Sequence, residues 1–261
     1  MVTEPLDAAE RLVAEERFGA VVTVLSGDAI GTKAVVDENG SVLAGSLPPA
    51  LAESAIADAV QLIRAERSRA VSYEDGDVFI EALAPPPVLV IFGAVDIAQE
   101  LSFHAQRLGF TVIVTDSRPV FATQDRFPGA TVLTGWPAAL IDDLPSDHRT
   151  YVVVLSHDDR METPALRWAL GTDVRYIGAM GSRRTHAARL ERLTADGFDA
   201  RALERIHGPV GLDLGAERPG EVAISILAEI IHVRYGSGTG LSLRGRHGRI
   251  HRQRTEDEGD V

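Results

Sequence analysis

The segment VLVIFGAVDIAQEL, residues 88–101, decides the fold class because an apolar run ends in a glycine just before a helix begins. That order of strand, glycine and helix opens the dinucleotide-binding βαβ unit, whose G-x-G-x-x-G/A pattern lets a phosphate approach the helix N-terminus. Gly93 occupies the first glycine position and Ala98 the third, but Val95 stands at the second and Asp96 follows it. A branched side chain obstructs a phosphate, and an acid repels it. The segment therefore predicts the fold, while Gly93 is either part of a ligand site or a purely structural turn.

Downstream of this segment, short apolar strands alternate with helical segments. Strands are predicted at 88–93, 111–116, 130–135, 151–157 and 174–180, and helices at 96–108, 137–143, 163–170, 182–195 and 219–235. Continuous apolar strands separated by helices are typical of a parallel sheet that is covered on both faces. Residues 88–235 are therefore predicted to form a Rossmann-like, doubly wound parallel-sheet domain.

The first 84 residues have a different pattern and are predicted to form a smaller N-terminal α/β domain. Helices are expected at 5–17 and 50–67, and strands at 19–27, 32–45 and 77–83, with a hairpin turn at 38–40. Three prolines at 85–87 separate the two domains, since they stiffen the chain and exclude a helix. Residues 236–261, rich in glycine, arginine and then acids, are predicted to be a disordered tail.

Composition excludes several classes of protein. The 261 residues are 45% apolar and 25% charged, which is ordinary for a globular chain. The net charge of −12 disfavours a nucleic-acid binder, which needs a basic face. Without cysteine the chain has no disulfide, thiolate metal site or cysteine nucleophile. We find neither a signal peptide nor an apolar run of membrane-spanning length, and therefore expect a cytoplasmic protein without membrane contact.

Polar candidates follow the first, second and fourth strands of the predicted parallel sheet. Gly93 and Ala94 form the first turn. Asp116 ends the second strand, 23 positions after Gly93, where an acid bonds a ribose hydroxyl in dinucleotide-binding folds. His157 and Asp158 follow the fourth strand and could bind a polar ligand. They do not form a catalytic triad with the preceding serine, because adjacent residues cannot make its contacts, and they lack partners for a metal.

A second group of candidates surrounds the start of the helix at 182–195. Glycine, serine, a helix N-terminus and paired arginines suit a phosphate or another oxyanion. The residues in question are Gly178, Gly181, Ser182, Arg183 and Arg184. They have a structural alternative, in which the serine caps the helix and the arginines, continued by Arg189 and Arg192, form a solvated basic face.

The loop HGPVGLDLGAERPG, residues 207–220, contributes the last two candidates, His207 and Asp213. Its glycines and prolines indicate an irregular segment before a helix. Such a loop either folds over the strand ends, where ligands bind in this fold class, or only docks the final helix.

These motifs, in this order, resemble the XdhC/CoxI family of accessory proteins that mature molybdenum hydroxylases. The matching stretches are VLVIFGA (88–94), GFTVIVTDSRPVFATQDRFPGA (109–130), VVVLSHD (152–158), ALRWAL (165–170), YIGAMGSRRTHAARLERL (176–193) and IHGPVGLDLGAERPGEVAISILAEII (206–231). Together they cover more than half of the chain. Each glycine motif alone is weak, whereas the combination is specific.

The resemblance implies a chaperone more than a catalyst. It implies binding of the molybdenum cofactor, as molybdopterin or its cytosine dinucleotide, and delivery to the large subunit of an apo molybdenum hydroxylase of the xanthine dehydrogenase or carbon monoxide dehydrogenase type. A homodimer is expected, and a cofactor cytidylyltransferase or a sulfurase would be further partners. Since the cofactor is anionic, Arg183 and Arg184 would be fitting contacts for it.

Three departures from the family pattern leave other functions open. The first turn reads GAVD, residues 93–96, where the family commonly has G-A-G followed by histidine or proline. The region AGSLPPALAE, residues 44–53, lacks the family's cysteine, and SGDAIGTKAVV, residues 26–36, is shortened. The alternatives are an NAD(P)-binding oxidoreductase on the same fold, or a scaffold in molybdoenzyme assembly that binds no ligand.

Overall fold

The computed structural model describes residues 4–236 and 238–245, which form two compact units on either side of the Pro86–Pro87 bond. Each unit is built around its own β-sheet. The predicted tail lies outside the described residues at 237 and from 246 onward, and its described part contains a 3-10 turn at Leu243–Gly245. None of the helices in the described ranges combines the length and apolar character that a bilayer crossing requires.

The first unit is an antiparallel sheet packed against two helices. Its elements are α1 (Pro5–Ala14), β1 (Gly19–Val24), β2 (Lys33–Asp37), β3 (Val42–Gly45), α2 (Pro49–Ala65), β4 (Arg69–Tyr73) and β5 (Gly76–Leu83). The strand order is β3-β2-β1-β5-β4 with antiparallel neighbours throughout. The predicted hairpin joins β2 to β3, and Gly40 adopts a φ of +83° there. β4 was not predicted, because none of the five residues of this edge strand is buried and it lacks the continuous apolar run of a core strand.

The second unit is a six-stranded parallel sheet, so the predicted fold class is confirmed. Its elements are β6 (Val88–Phe92), α3 (Asp96–Arg107), β7 (Thr111–Asp116), β8 (Thr131–Thr134), α4 (Pro137–Leu140), β9 (Thr150–Val154), α5 (Asp159–Leu170), β10 (Tyr176–Ala179), α6 (Arg183–Ala195), α7 (Ala200–Leu203), β11 (Ile206–His207) and α8 (Pro219–Tyr235). The order β11-β10-β9-β6-β7-β8 is that of the doubly wound Rossmann fold. The direction in which successive strands are added reverses between β6 and β9, which makes their carboxyl ends the topological switch point.

Two apolar layers hold the parallel sheet. Leu89 and Ile91 of β6 face one layer together with α3 and α8, whereas Val90 and Phe92 face the other with α5. Every residue of β6 and β9 is buried, which explains why these strands read as unbroken apolar runs. Removing each such side chain from water contributes about 1.5–3 kcal/mol, so the central strands fix the position of everything at their ends.

Several predicted boundaries differ from the structure near the strand ends. α5 begins at Asp159 rather than 163, because the Asp158 carboxylate accepts the Arg160 N–H at 2.9 Å and caps the helix. β9 ends at Val154, so residues 155–157 of the predicted strand belong to a loop. α7 and β11 are too short for their sequence pattern to predict them.

The structural alternative, in which Arg189 continues a solvated basic face, is wrong for this residue. Arg189 is fully buried, and its Nε and Nη2 atoms each donate to a Glu162 carboxylate oxygen at 2.9 Å. Nη2 also donates to the Met180 carbonyl at 2.7 Å. The Glu162 carboxylate accepts a further bond from Arg192, at 3.0 Å. The pair ties α6 to α5 and to the end of β10.

Gly93 offers a test of the turn that starts the parallel unit. It adopts a φ of +112°, and a Cβ atom there would lie 3.0 Å from the Ser156 amide nitrogen. Gly109 also has a positive φ, +84°, but a Cβ atom would meet nothing within 4 Å. We expect Gly109→Ala to cost about 1 kcal/mol of unfolding free energy from backbone strain. Gly93→Ala should cost about 1–3 kcal/mol more, because the neighbouring loop must also shift.

Urea denaturation of both variants measures this difference. Equal losses in the two variants would show that the β6–α3 turn does not pack closely against the loop after β9.

Candidate functional site

A cavity of about 430 Å³ lies at the switch point of the parallel sheet. Its wall comes from the first turn, from the segments that follow β7 and β9, and from the residue before α4. The lining residues are Val95, Asp116, Ser117, Arg118, Trp136, Leu155, Ser156, His157, Asp158, Arg160 and Met161. The volume falls within the range of small-molecule and cofactor sites, and the position is where ligands bind in open α/β sheets.

The first turn keeps its shape through bonds inside the protein. The N–H of Gly93 donates to the Thr115 carbonyl, and the N–H of Ala94 donates to an Asp116 carboxylate oxygen, both at 2.8 Å. Val95 lines the cavity at the position where the dinucleotide pattern has its second glycine. Asp96 turns away, with its side chain 81% exposed and 3.2 Å from Arg126. Asp96, which the sequence pattern predicted to face the ligand, therefore pairs with Arg126 outside the cavity wall.

Asp116 is buried and fully engaged. Besides the Ala94 amide, it accepts bonds from the backbone N–H of Arg118 at 2.9 Å and from the guanidinium Nε and Nη2 at 2.9 and 2.8 Å. Burial by itself would raise the pKa of Asp116, but the hydrogen bonds from Arg118 and Ala94 outweigh burial and lower it. The contact of Asp116 with a ribose hydroxyl stays a prediction. The hydrogen bonds of this carboxylate go to the first turn and to Arg118.

The loop after β9 repeats this arrangement. Asp158 accepts bonds from the backbone N–H of Arg160 and from the guanidinium Nε and Nη2, at 2.9, 3.1 and 2.8 Å. Hydrogen bonds from Arg160, aided by the charge of Arg118, lower the pKa of Asp158. The Arg160 guanidinium lies 4.5 Å from the ring centre of Trp136, and His157 is exposed at the cavity wall.

The second predicted group lies at the end of β10 and does not line the cavity. Ser182 caps α6 by accepting the Thr185 N–H at 3.1 Å, as the structural alternative predicts. Arg183 and Arg184 are exposed, and within residues 4–236 and 238–245 neither forms an ion pair. A Cβ atom at Gly178 would lie 2.6 Å from Val210, so this glycine allows the following loop to pack on β10. Gly181 has a φ of +146° and leads into the cap.

His207 and Asp213 have different surroundings from each other. His207 stacks on Tyr176 with ring centres 4.7 Å apart, and its Nδ1 lies 3.5 Å from the Glu229 carboxylate. Glu229 also accepts the Tyr176 hydroxyl at 2.5 Å and the Gly211 N–H at 2.9 Å. Burial would raise the pKa of Glu229, but the bonds from His207, Tyr176 and Gly211 lower it. These bonds dock the loop on α8, whereas Asp213 is exposed on its outside.

Across the part of the chain that the structure describes, no three His, Asp or Glu side chains converge as a metal site. The predicted residues thus separate into two groups. Gly93, Ala94, Asp116, His157 and Asp158 meet at the switch point, while those after β10 and β11 do not reach that cavity.

Comparison with known proteins identifies the family. A sequence model described as the XdhC Rossmann domain matches residues 89–230, more than half of the chain. The chain belongs to the XdhC family. The resemblance found in the sequence is therefore confirmed.

Three curated relatives of the XdhC chain extend the comparison. A probable xanthine dehydrogenase subunit of Bacillus subtilis (strain 168) is 33% identical over 60% of this chain and 46% of that protein. Uncharacterized protein YqeB of Escherichia coli (strain K12) is 27% identical over 93% of this chain and 43% of its own. Molybdenum cofactor insertion chaperone PaoD of the same strain is 36% identical over 39% and 34%. The XdhC chain thus spans less than half the length of each relative.

A solved structure shares the fold. A crystal structure described as a xanthine dehydrogenase from Bacillus halodurans superposes with a TM-score of 0.67 at 24% identity. The match covers 87% of the XdhC chain and 65% of the other chain.

Sequence reasoning missed several cavity residues of the XdhC chain, among them Arg118, Arg160 and Trp136. A signal for the arginines exists in the sequence. The pattern Asp-x-Arg occurs five times, at 116–118, 147–149, 158–160, 173–175 and 199–201. In the first three the aspartate accepts both the backbone N–H and the guanidinium of the arginine two positions later. Two of these three lie near the carboxyl ends of β7 and β9, where the cavity forms. Trp136 carries no comparable signal.

The lowered pKa of Asp116 predicts a pH dependence of stability. The stabilisation is complete above the ordinary aspartate value near pH 4 and is lost as the pH falls through the lower folded-state value. At neutral pH, Asp116→Asn should lower the free energy of unfolding by about 1.5–3 kcal/mol, because charge-assisted bonds to Arg118 and Ala94 are lost. The difference from wild type should shrink below about pH 4.

Urea denaturation from pH 7 to pH 3 checks this. Asp96→Asn, with an exposed carboxylate, is the matched control and should show little change at any pH. A difference for Asp116→Asn that stays constant down to pH 3 would contradict the assignment.

Proposed function

We propose that the chain binds the molybdenum cofactor in the switch-point cavity and helps to deliver it to an apo molybdenum hydroxylase of the xanthine dehydrogenase or carbon monoxide dehydrogenase type. The observation that carries the proposal is the 430 Å³ cavity flanked by two aspartate-held arginines, in a chain of the XdhC family. A relative named as a molybdenum cofactor insertion chaperone supports it. The chain spans less than half of that relative, so activity and partners are part of the proposal.

The cavity wall suits a flat, anionic ligand. Arg118 and Arg160 supply hydrogen-bond donors with positive charge, and Trp136 offers a partly exposed ring. Leu155 and Met161 contribute an apolar floor. These residues would hold and orient a pterin and shield it from water. When bound, the cofactor would supply the redox centre of the acceptor hydroxylase, and the residues of this chain only bind and release it.

An oxidoreductase using NAD(P) is the second candidate. Arg118 favours it, because an arginine near the acid after the second strand accommodates the 2′-phosphate in NADP enzymes. Against it, the Ala94 N–H is directed at Asp116, and Val95 occupies the approach to the helix N-terminus. The predicted homodimer, the cytoplasmic location and contacts with a cytidylyltransferase or sulfurase stay predictions.

One experiment separates these functions. The purified chain is mixed with molybdenum cofactor or with NAD(P)H, passed through gel filtration and then added to apo-hydroxylase. Retained cofactor and a gain of hydroxylase activity are the expected result. Retention of neither ligand, with co-purification of a hydroxylase subunit, would support the scaffold instead. Hydride transfer from bound NAD(P)H to any substrate would overturn both.

Val95 provides a steric test of the cavity. Val95→Phe adds volume inside the wall, and we expect cofactor affinity to fall at least about tenfold, since an overpacked contact costs about 1–3 kcal/mol. Val120→Phe is the control, because Val120 is 80% exposed and does not line the cavity. Fluorescence titration with the cofactor measures both, and thermal melts confirm that both variants fold. Unchanged affinity in Val95→Phe would exclude this cavity.

The two predicted groups of residues can be compared directly. Arg183→Ala should leave cofactor affinity within about twofold of wild type, because this exposed arginine lies outside the cavity. The same titration checks it. A loss of about 1.5–3 kcal/mol, as expected for a charge-assisted hydrogen bond, would place the cofactor at the start of α6 instead.

A further inference from the structure

The first turn is poorly suited to bind a phosphate in the usual Rossmann manner. In that mode the backbone N–H groups after the first strand point at the ligand, and a second glycine permits close approach. Here the Ala94 N–H is bonded to the buried Asp116 carboxylate at 2.8 Å. Val95 replaces the glycine and lines the cavity. Donors elsewhere on the cavity wall are therefore better placed for a phosphoryl group.

Arg118 offers these donors on the opposite wall. Its side chain is 52% exposed, whereas that of its partner Asp116 is only 2% exposed, so a ligand meets the cation and not the carboxylate. Nε and one Nη2 hydrogen are engaged with Asp116, and one face of the guanidinium lies 4.3 Å from the centre of the Phe121 ring. Among residues 4–236 and 238–245, the Nη1 hydrogens and the second Nη2 hydrogen have no hydrogen-bond acceptor and are left for a ligand. Asp116 holds one edge of this guanidinium and Phe121 covers one face, so the side chain is already ordered before a ligand binds.

Arg160 is built by the same Asp-x-Arg turn but presents a different surface. The side chain of its partner Asp158 is 41% exposed, so both signs of charge face the solvent at this position. The two aspartates and two arginines of the lining balance in formal charge. The two turns are unequal because only Arg118 presents an exposed cation beside a buried carboxylate.

We infer that Arg118 is the phosphoryl-binding residue of this cavity. The ligand then lies with its phosphate monoester or diphosphate toward the end of β7 and away from the N-terminus of α3, where the usual dinucleotide mode places the diphosphate. The identity of the ligand rests on the proposed function, whereas the anion contact can be tested alone. The same contact fits the terminal phosphate of a pterin and the diphosphate of a dinucleotide form.

Calorimetric titration of the full chain with inorganic phosphate and with inorganic pyrophosphate tests the inference. Arg118→Gln should weaken binding of the anion about tenfold or more. The matched control is Arg167→Gln, because Arg167 is 50% exposed and is held by Asp196 in a bidentate pair outside the cavity. This control should bind as wild type does. Tighter binding of pyrophosphate than of phosphate assigns the contact to a diphosphate, and equal binding assigns it to a monoester.

A second variant guards against loss of folding. Arg118→Gln leaves a buried carboxylate without its partner, so the double variant Asp116→Asn, Arg118→Gln removes both charges together. It should show the same loss of anion binding. No anion binding by wild type, or equal weakening by Arg167→Gln, overturns the inference.

Titration with the molybdenum cofactor separates the two proposals. Equal cofactor affinity of wild type and Arg118→Gln would overturn the phosphoryl contact and leave the proposed function standing. Anion binding that depends on Arg118, with no cofactor retained by wild type, would leave the contact standing and overturn the proposed function.

Discussion

The buried carboxylate of Asp116 is the constraint on which the ligand crevice depends. It lies at the end of β7, accepts the Ala94 N–H across the sheet and holds the guanidinium of Arg118. A single buried charge thereby joins the first turn to the opposite wall. An unpaired carboxylate at this depth would cost several kcal/mol, so the arginine cannot leave without a penalty. The shape of the first turn and the position of the Arg118 cation consequently have one origin.

This arrangement explains how the turn tolerates a valine. In a dinucleotide-binding turn the phosphate occupies the backbone donors, and the second glycine keeps the space open. Here the protein's own acid occupies one of those donors, so Val95 has no phosphate to obstruct. Asp96 is likewise harmless, because Arg126 pairs with it outside the cavity. Val95 and Asp96 therefore change where an anion can bind, whereas the fold is retained.

Much of the fold was predictable because its central strands are buried on both faces. Such strands appear as continuous apolar runs, and Gly93 marks the turn after the first of them. Short strands such as the two-residue β11 have no hydrophobic periodicity that the sequence could reveal. The site was only partly predictable. Asp116, His157 and Asp158 follow strands and therefore reach the cavity. Arg118 and Arg160 depend on a side-chain turn, which a search for glycine motifs does not examine.

The buried pair of Arg189 and Glu162 holds one side of the cavity. It fastens α6 to α5 and to the Met180 carbonyl, and α5 contributes Arg160 and Met161 to the cavity wall. Separating these helices would leave a buried charge unpaired, which costs several kcal/mol. Trp136 precedes the short α4, which joins a 3-10 turn with no buried residue. The α5 wall is therefore fixed by buried charge, whereas the wall around Trp136 depends on few buried contacts.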